Sequence, residues 1–432
     1  MLRAGEGRID ITPPNGVELA GFHKPVGQER KVEGVRQAPF ARALVVEVGD
    51  QLLAVLSIDL IGVSRAFSAG VKGQVAKELA IPEAHVLVCA THTHSMPTFV
   101  PLLQWGAVPD AYMAEVLDKC VQAIAAAKAD LAEADLYYGQ QRVIGGNHNR
   151  TVPASVPAWK TDADFTGAST HDERWLDTVL QVLYFQRSGP RSLQWYHFCA
   201  HPVCFGDALA GPDWPGLVSD QIQAADGFLP SFLNGHIGDV NPGDGTPWIG
   251  DPQETLAAVA PALHHATGHG EVVEATVLRV ETATIEIPLD IPLLQEQLEL
   301  YKTAPEKCVD GEWVDAGFAK AWYDQLSQWD MSRTTLATPV TAVRLGDVYM
   351  LFHPSELYSF YGLKLRLGSK LPRVFVVGYC DDVIGYLTDP MAYDKREYAA
   401  VVVPKILGLP PFTQEAAESF TNACAALMAK LT

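Results

Sequence analysis

Short apolar runs, each closed by a turn signal or a polar residue, dominate the hydrophobic pattern of this 432-residue chain. Runs at 43–48 and 52–58 flank Gly49-Asp50, which predicts a β-hairpin. Its second strand is nearly all apolar, as expected for a strand covered on both faces. Runs at 340–345 and 348–352 flank Gly346-Asp347 in the same way and hint at an internal duplication. Further strands are predicted at 85–90, 136–138, 176–185, 193–200, 228–233 and 374–377, with a long alternating stretch at 271–288. Helical spacing is clearest at 110–128, where Met113, Val116, Leu117, Cys120, Val121 and Ile124 recur every three or four residues and Asp110 is the expected N-cap. Other helices are expected at 64–79, 217–225, 251–266, 291–303, 317–329, 356–368 and 413–431. No short repeat, low-complexity tract or linker divides this α/β pattern, so one domain over 1–432 is expected.

Composition changes the picture by exclusion. With 48% hydrophobic and 19% charged residues, the chain can bury a sizeable core. A net charge of −19 disfavours nucleic acid and anionic membrane surfaces as partners. The seven cysteines are scattered, odd in number and free of any C-x-x-C, which fits buried thiols in a reducing compartment. The N-terminal residues carry no apolar leader, and no run of about 18 apolar residues provides a membrane anchor. A cytoplasmic location is the expectation.

The candidate chemistry gathers where apolar strands end. The strand at 85–90 runs into Thr91-His92-Thr93-His94-Ser95. On a continuing strand, His92 and His94 would point to one face. That suggests a metal site or a catalytic histidine pair; the alternative is a polar strand end bonded to the backbone. Other exits carry His201-Pro202, His353 with Glu356, and Tyr386. Sites of α/β proteins collect at such carboxyl ends of strands. Separated His, His and Glu residues match the three protein ligands of a catalytic zinc with one open position. Glu356 falls in the expected first turn of a helix, where the dipole favours an acid in any case. Strand-exit histidines such as His201 and His353 also often serve only the backbone.

In combination, these motifs resemble the neutral (non-lysosomal) ceramidase family of zinc-dependent amide hydrolases. The resemblance runs from Gly7 to about Tyr398. It rests on Thr91-His92-Thr93-His94-Ser95, Asn147-His148-Asn149-Arg150, His201-Pro202-Val203, Gly238-Asp239-Val240 with Pro242, Ser355-Glu356 and Gly385-Tyr386-Leu387-Thr388. It implies a layered, mixed-sheet α/β fold with two β-sheets flanked by helices. It implies a zinc ion, Zn2+, held by His92, His201, Glu356 and Tyr386, and a substrate faced by His94, Arg150 and Tyr398. His94 would then move a proton, and Arg150 and Tyr398 would donate hydrogen bonds.

Departures from the family pattern shape the expected activity. The family's G-D-V-S-P serine is replaced by Asn241, which cannot be a nucleophile, so attack by zinc-bound water is expected. Asn241 and His353 are candidate substrate-contacting residues. Met96-Pro97-Thr98-Phe99 replaces a glycine-rich continuation and alters the expected pocket wall. The chain shows no further C-terminal β-domain, so a small N-acyl compound, smaller or more polar than ceramide, is the expected substrate. Hydrolysis of an ester or lactone, or ligand binding without turnover, are the competing readings.

Overall fold

Each Gly-Asp turn closes a hairpin as its pattern predicts: Phe40–Val48 pairs with Gln51–Ile58, and Thr335–Leu345 with Val348–Phe352. Glycine suits both turns because Gly49 and Gly346 adopt φ of 65° and 64°, the left-handed region. The structure, a computed structural model, describes residues 1–152, 159–309 and 313–432. Each hairpin leads on to a helix, Arg65–Leu79 or Ser359–Gly368. A strand then returns parallel to the hairpin's second strand, Val86–Ala90 in one case and Val374–Val377 in the other. The likeness of the two turns therefore extends to topology.

The first hairpin belongs to a nine-stranded mixed sheet, which runs in space from Ser231–Asn234 to Val86–Ala90. The second belongs to a four-stranded sheet. Their facing sides share one core, with Leu44, Leu87, Leu183 and Trp195 against Val343, Met350 and Phe375. Helices cover both outer faces. Arg65–Leu79 and Asp110–Ala129 lie on one half of the large sheet, and Trp214–Asp226 and Pro252–Gly268 on the other. Ser359–Gly368 and Ala416–Ala429 cover the small sheet. This is the expected layered α/β architecture. Close approach needs glycine at Gly5 and Gly7, where a Cβ would lie 2.1 Å from the Ala127 oxygen and 2.0 Å from that of Ala123.

Several elements differ from expectation for local reasons. Asp110 is the first helical residue rather than the cap, a position its charge also suits. The stretch at 271–288 splits into Glu271–Val273, paired with the large sheet, and Leu278–Pro288, in the small one. Glu356 lies on a short strand, Ser355–Leu357, so the helix-dipole explanation for it does not apply. All seven cysteines are free and buried. Among the described residues, no helix is long and apolar enough to cross a membrane.

One long-range feature prepares the site. The edges of the large sheet approach each other: the Ser57 hydroxyl donates to the Phe232 oxygen (2.6 Å), and Asn234 Nδ2 donates to the Thr91 oxygen (2.8 Å). The exits of strands distant in sequence are thereby brought together.

Candidate metal centre

The strand Val86–Ala90 ends before His92, whose φ of 63° turns the chain out of the extended conformation. The pleat expected to align His92 and His94 is therefore absent. Their rings still meet, 5.0 Å apart and at 86°, because the turn folds them together. His201 joins them from beyond Leu193–Phe198, with its ring 5.1 Å from His92. Glu356 and Tyr386 arrive as direct register partners of two short parallel strands, Ser355–Leu357 and Gly385–Leu387. Gly238 fits against this pair because a Cβ there would lie 2.5 Å from the Glu356 oxygen.

Hydrogen bonding defines the ring tautomers. Nδ1 of His92, His94 and His201 faces the carbonyl oxygens of Ile61 (2.7 Å), Gly21 (2.9 Å) and Val240 (2.8 Å). A carbonyl only accepts, so each Nδ1 carries the proton and each Nε2 presents a lone pair. Nε2 of His92 and of His201 lie 3.5 and 3.4 Å from Glu356 Oε2. Among the described residues, Nε2 of His94 and of His201 have no hydrogen-bond partner. Burial pushes the His92 pKa down to about 4, against the opposing pull of Glu356, and holds His94 and His201 well below the usual imidazole value. Neutral imidazoles thus aim lone pairs at a carboxylate oxygen. Acceptor facing acceptor is costly when buried, and a cation between them satisfies every member. The backbone carbonyls behind the rings are the outer-shell partners that orient metal-binding histidines.

Arg150 is anchored beside this cluster. Its backbone N–H donates to the Asp239 oxygen (2.8 Å), and its Nη2 donates to the Gly238 oxygen (2.9 Å) and to the Tyr386 hydroxyl oxygen (2.6 Å). Burial works against its charge, but Tyr386 and Glu356 outweigh that and raise its pKa. Burial and Glu356 likewise raise the Tyr398 phenol, which stays a protonated donor. Asn241 accepts from Arg150 (3.3 Å) and donates to the Trp248 oxygen (2.7 Å).

The structure therefore brings His92, His94, His201, Glu356, Tyr386, Arg150, Tyr398 and Asn241 into one neighbourhood. His353 stands apart. It is buried, its Nδ1 is bonded to the Ser355 hydroxyl (2.9 Å), and burial lowers its pKa to about 3. It lines neither cavity at the site.

Two cavities meet at His94, Tyr386, Tyr398 and Trp105. The inner one, about 60 Å³, joins His92, His94, Glu356 and Tyr386 to an aliphatic stretch that includes Ile61, Val100, Val383 and Val403. The outer one, about 260 Å³, is bounded by Trp248, Trp313, Arg150 and Glu397.

The sequence reading missed Tyr379, which stacks on His92 at 4.1 Å and donates to Glu356 Oε2 (3.1 Å). Its φ of 57° is a tertiary strain that no local pattern announces. It also missed Asp239, which accepts from Ser359 N–H (2.8 Å), the Ser359 hydroxyl (2.7 Å) and Asn149 (2.9 Å). Asp239 stands in the quoted Gly238-Asp239-Val240 motif, the one signal that marked it. A second buried group, Asp177, Cys199 and His236, has ligand-like spacing. There Arg366 already grips Asp177 through two hydrogen bonds (2.8 and 2.9 Å), and burial raises the Cys199 pKa, so this is a neutralised structural network.

Comparison with known proteins adds a consistent picture. The family description "Neutral/alkaline non-lysosomal ceramidase, N-terminal" matches residues 2–253. A neutral ceramidase of Mycobacterium tuberculosis is 23% identical over 486 aligned positions, covering 92% of this chain and 73% of that protein. A neutral ceramidase of Pseudomonas aeruginosa is 24% identical over 258 residues, 56% of this chain, and the match spans only 37% of that relative's length. The crystal structure of the Pseudomonas aeruginosa neutral ceramidase superposes with a TM-score of 0.75 at 18% identity, over 100% of this chain and 74% of the other. That likeness speaks for the fold.

Proposed function

From the premise that this chain belongs to the neutral/alkaline non-lysosomal ceramidase family, matched over residues 2–253, we propose that it is a zinc-dependent hydrolase of an amide (N-acyl) bond. Its substrate is a small molecule, smaller or more polar than ceramide, and the catalytic unit is one domain over 1–432. The observation that carries this reading is the meeting of two unprotonated ring nitrogens, His92 Nε2 and His201 Nε2, with Glu356 Oε2 at 3.5 and 3.4 Å, where neither imidazole can donate to the carboxylate.

His92, His201 and Glu356, with Tyr386 alongside, would hold the zinc. Bound zinc supplies Lewis acidity and lowers the pKa of water to about 7. His94 Nε2, a neutral lone pair at the junction of the cavities, takes a proton from the attacking water and returns it to the leaving nitrogen. As the C–O bond forms and the C–N bond breaks, Arg150 and Tyr398 donate hydrogen bonds toward the developing negative charge. Asn241 helps to hold the Arg150 guanidinium.

Metal analysis of gently purified protein, followed by a panel of N-acyl compounds and matched esters, tests the reading. One zinc per chain, a lower Tm on chelation and preferential amide cleavage are expected. Absence of zinc together with a Tm indifferent to chelators would refute it. Faster turnover of the esters would move the assignment to ester or lactone hydrolysis.

A further inference from the structure

An amide has two arms, and the two cavities at the centre differ in what they can accept. Beyond His92 and His94, the inner cavity runs between Ile61, Val100, Val383 and Val403, whose side chains are purely aliphatic. A polar substituent there would lose its hydration without replacement, so this cavity suits an unsubstituted acyl chain. The outer cavity offers Arg150 and Glu397. Trp105, on the wall common to both cavities, adds a buried indole N–H with no hydrogen-bond partner among the described residues. Arg150 and Glu397 suit the polar, nitrogen-bearing arm to that outer side, whose other walls, such as Trp248 and Trp313, are mainly apolar.

The inner cavity has a definite end. Leu102, Ile406 and Leu407 line it and also line a separate groove on the outer surface, so they form the partition between the two. The partition is tied in place. Leu103 N–H donates to the Ile406 oxygen (2.8 Å), and Leu407 lies over Gly385, where a Cβ would come within 2.7 Å of Leu407 Cδ1. Gly385 directly precedes Tyr386, so the end wall is referenced to the metal-binding cluster itself. The inner cavity's volume of about 60 Å³, against roughly 30 Å³ for one water in the liquid, holds only a few water-sized groups.

We propose that Leu102, Ile406 and Leu407 are specificity-determining residues that close this cavity and limit the acyl arm of the substrate to a short chain. This inference rests on the amide-hydrolase reading of the same centre. Substrates would then be N-acyl compounds with a short saturated acyl group and a polar amine arm.

Binding of straight-chain carboxylates, from acetate to dodecanoate, tests the length limit without turnover. Calorimetric titration of the zinc-loaded protein should show affinity rising about fourfold per methylene over the first few carbons, then falling well before dodecanoate. Turnover of N-acyl p-nitroanilides of the same lengths should follow the same profile. Leu407→Ala should open the partition and move the optimum about two carbons longer, and Leu102→Ala should act in the same direction if Leu407→Ala fails to fold. Wild-type affinity that keeps rising to dodecanoate overturns the proposal. So does an unchanged optimum in a variant with native circular dichroism and metal content. A length limit in carboxylate binding, with no amide cleaved at any length, would uphold the proposal while overturning the hydrolase reading beneath it.

Discussion

His92 and His94 are two residues apart, share the same ring chemistry and are held neutral by the same burial, yet their surroundings divide their roles. His92 Nε2 faces Glu356, whereas His94 Nε2 has no partner among the described residues and the His94 side chain lines both cavities. His92→Ala should lower metal affinity by more than about 100-fold, beyond the loss typical of outer-shell partners, with the fold retained by circular dichroism. His94→Ala should keep its zinc and lose about 10²–10⁴ in kcat, the range for a proton-transfer group. Loss of zinc in His94→Ala would instead make it a ligand; its Nε2 has the proximity, since the three histidines offer atoms within 4.8 Å of one another. Asn241→Ala should cost no more than about tenfold in kcat/KM, one charge-assisted hydrogen bond to Arg150, if Asn241 positions rather than attacks. A loss of several orders of magnitude would require a direct chemical role for the amide.

Among the elements, the helix Trp214–Asp226 shows how a loop residue links folding to pH. Asp213 caps it, accepting from Trp214 N–H (2.7 Å), and also binds the N–H groups of Cys204 and Phe205 (both 3.2 Å). Burial raises its pKa from 3.8 to about 6, outweighing those three donors. The folded state therefore binds this proton more tightly than the unfolded chain. Its contribution is full below about pH 4 and is lost as pH rises through about 6, up to about 3 kcal/mol. In Asp213→Asn, urea denaturation should show a smaller drop in stability between pH 4 and pH 7 than in the wild type. An equal drop would mean that Asp213 is not protonated in the fold at low pH. Helices such as Arg65–Leu79 and Asp110–Ala129 were legible from apolar spacing because that spacing is local. The strand carrying Glu356 was not, because its pairing with Gly385–Leu387 depends on residues 30 positions away that have no pattern of their own.

Across the whole molecule, polar ties cross the space between the layers. Arg366, on the helix over the small sheet, grips Asp177 at the start of the large-sheet strand Val179–Arg187. Gln181 Nε2 donates to the Val374 oxygen (3.0 Å), and His197 Nε2 meets that of Val376 (2.9 Å). Burial alone would raise the Asp177 pKa, but Arg366, then His236, overcome that and hold it well below the usual carboxylate range. Removing one partner leaves a buried charge uncompensated. Arg366→Met should therefore destabilise the protein by about 3–5 kcal/mol in urea denaturation. A change under about 1 kcal/mol would mean that the pair is solvated or replaceable.

The sequence by itself determined the longer helices, both Gly-Asp hairpins and the chemistry waiting at each strand exit, because periodicity and turn propensity act within a few residues. It also marked most members of the centre through motifs, including Tyr386, which no local chemistry singles out as a ligand. Only the tertiary structure decided how those exits converge. The approach of the sheet edges, the left-handed turns at His92 and Tyr379 and the register of Glu356 against Tyr386 all depend on distant partners. The same holds for the end wall at Leu102, Ile406 and Leu407, where segments about 300 residues apart meet because both pack against one cavity.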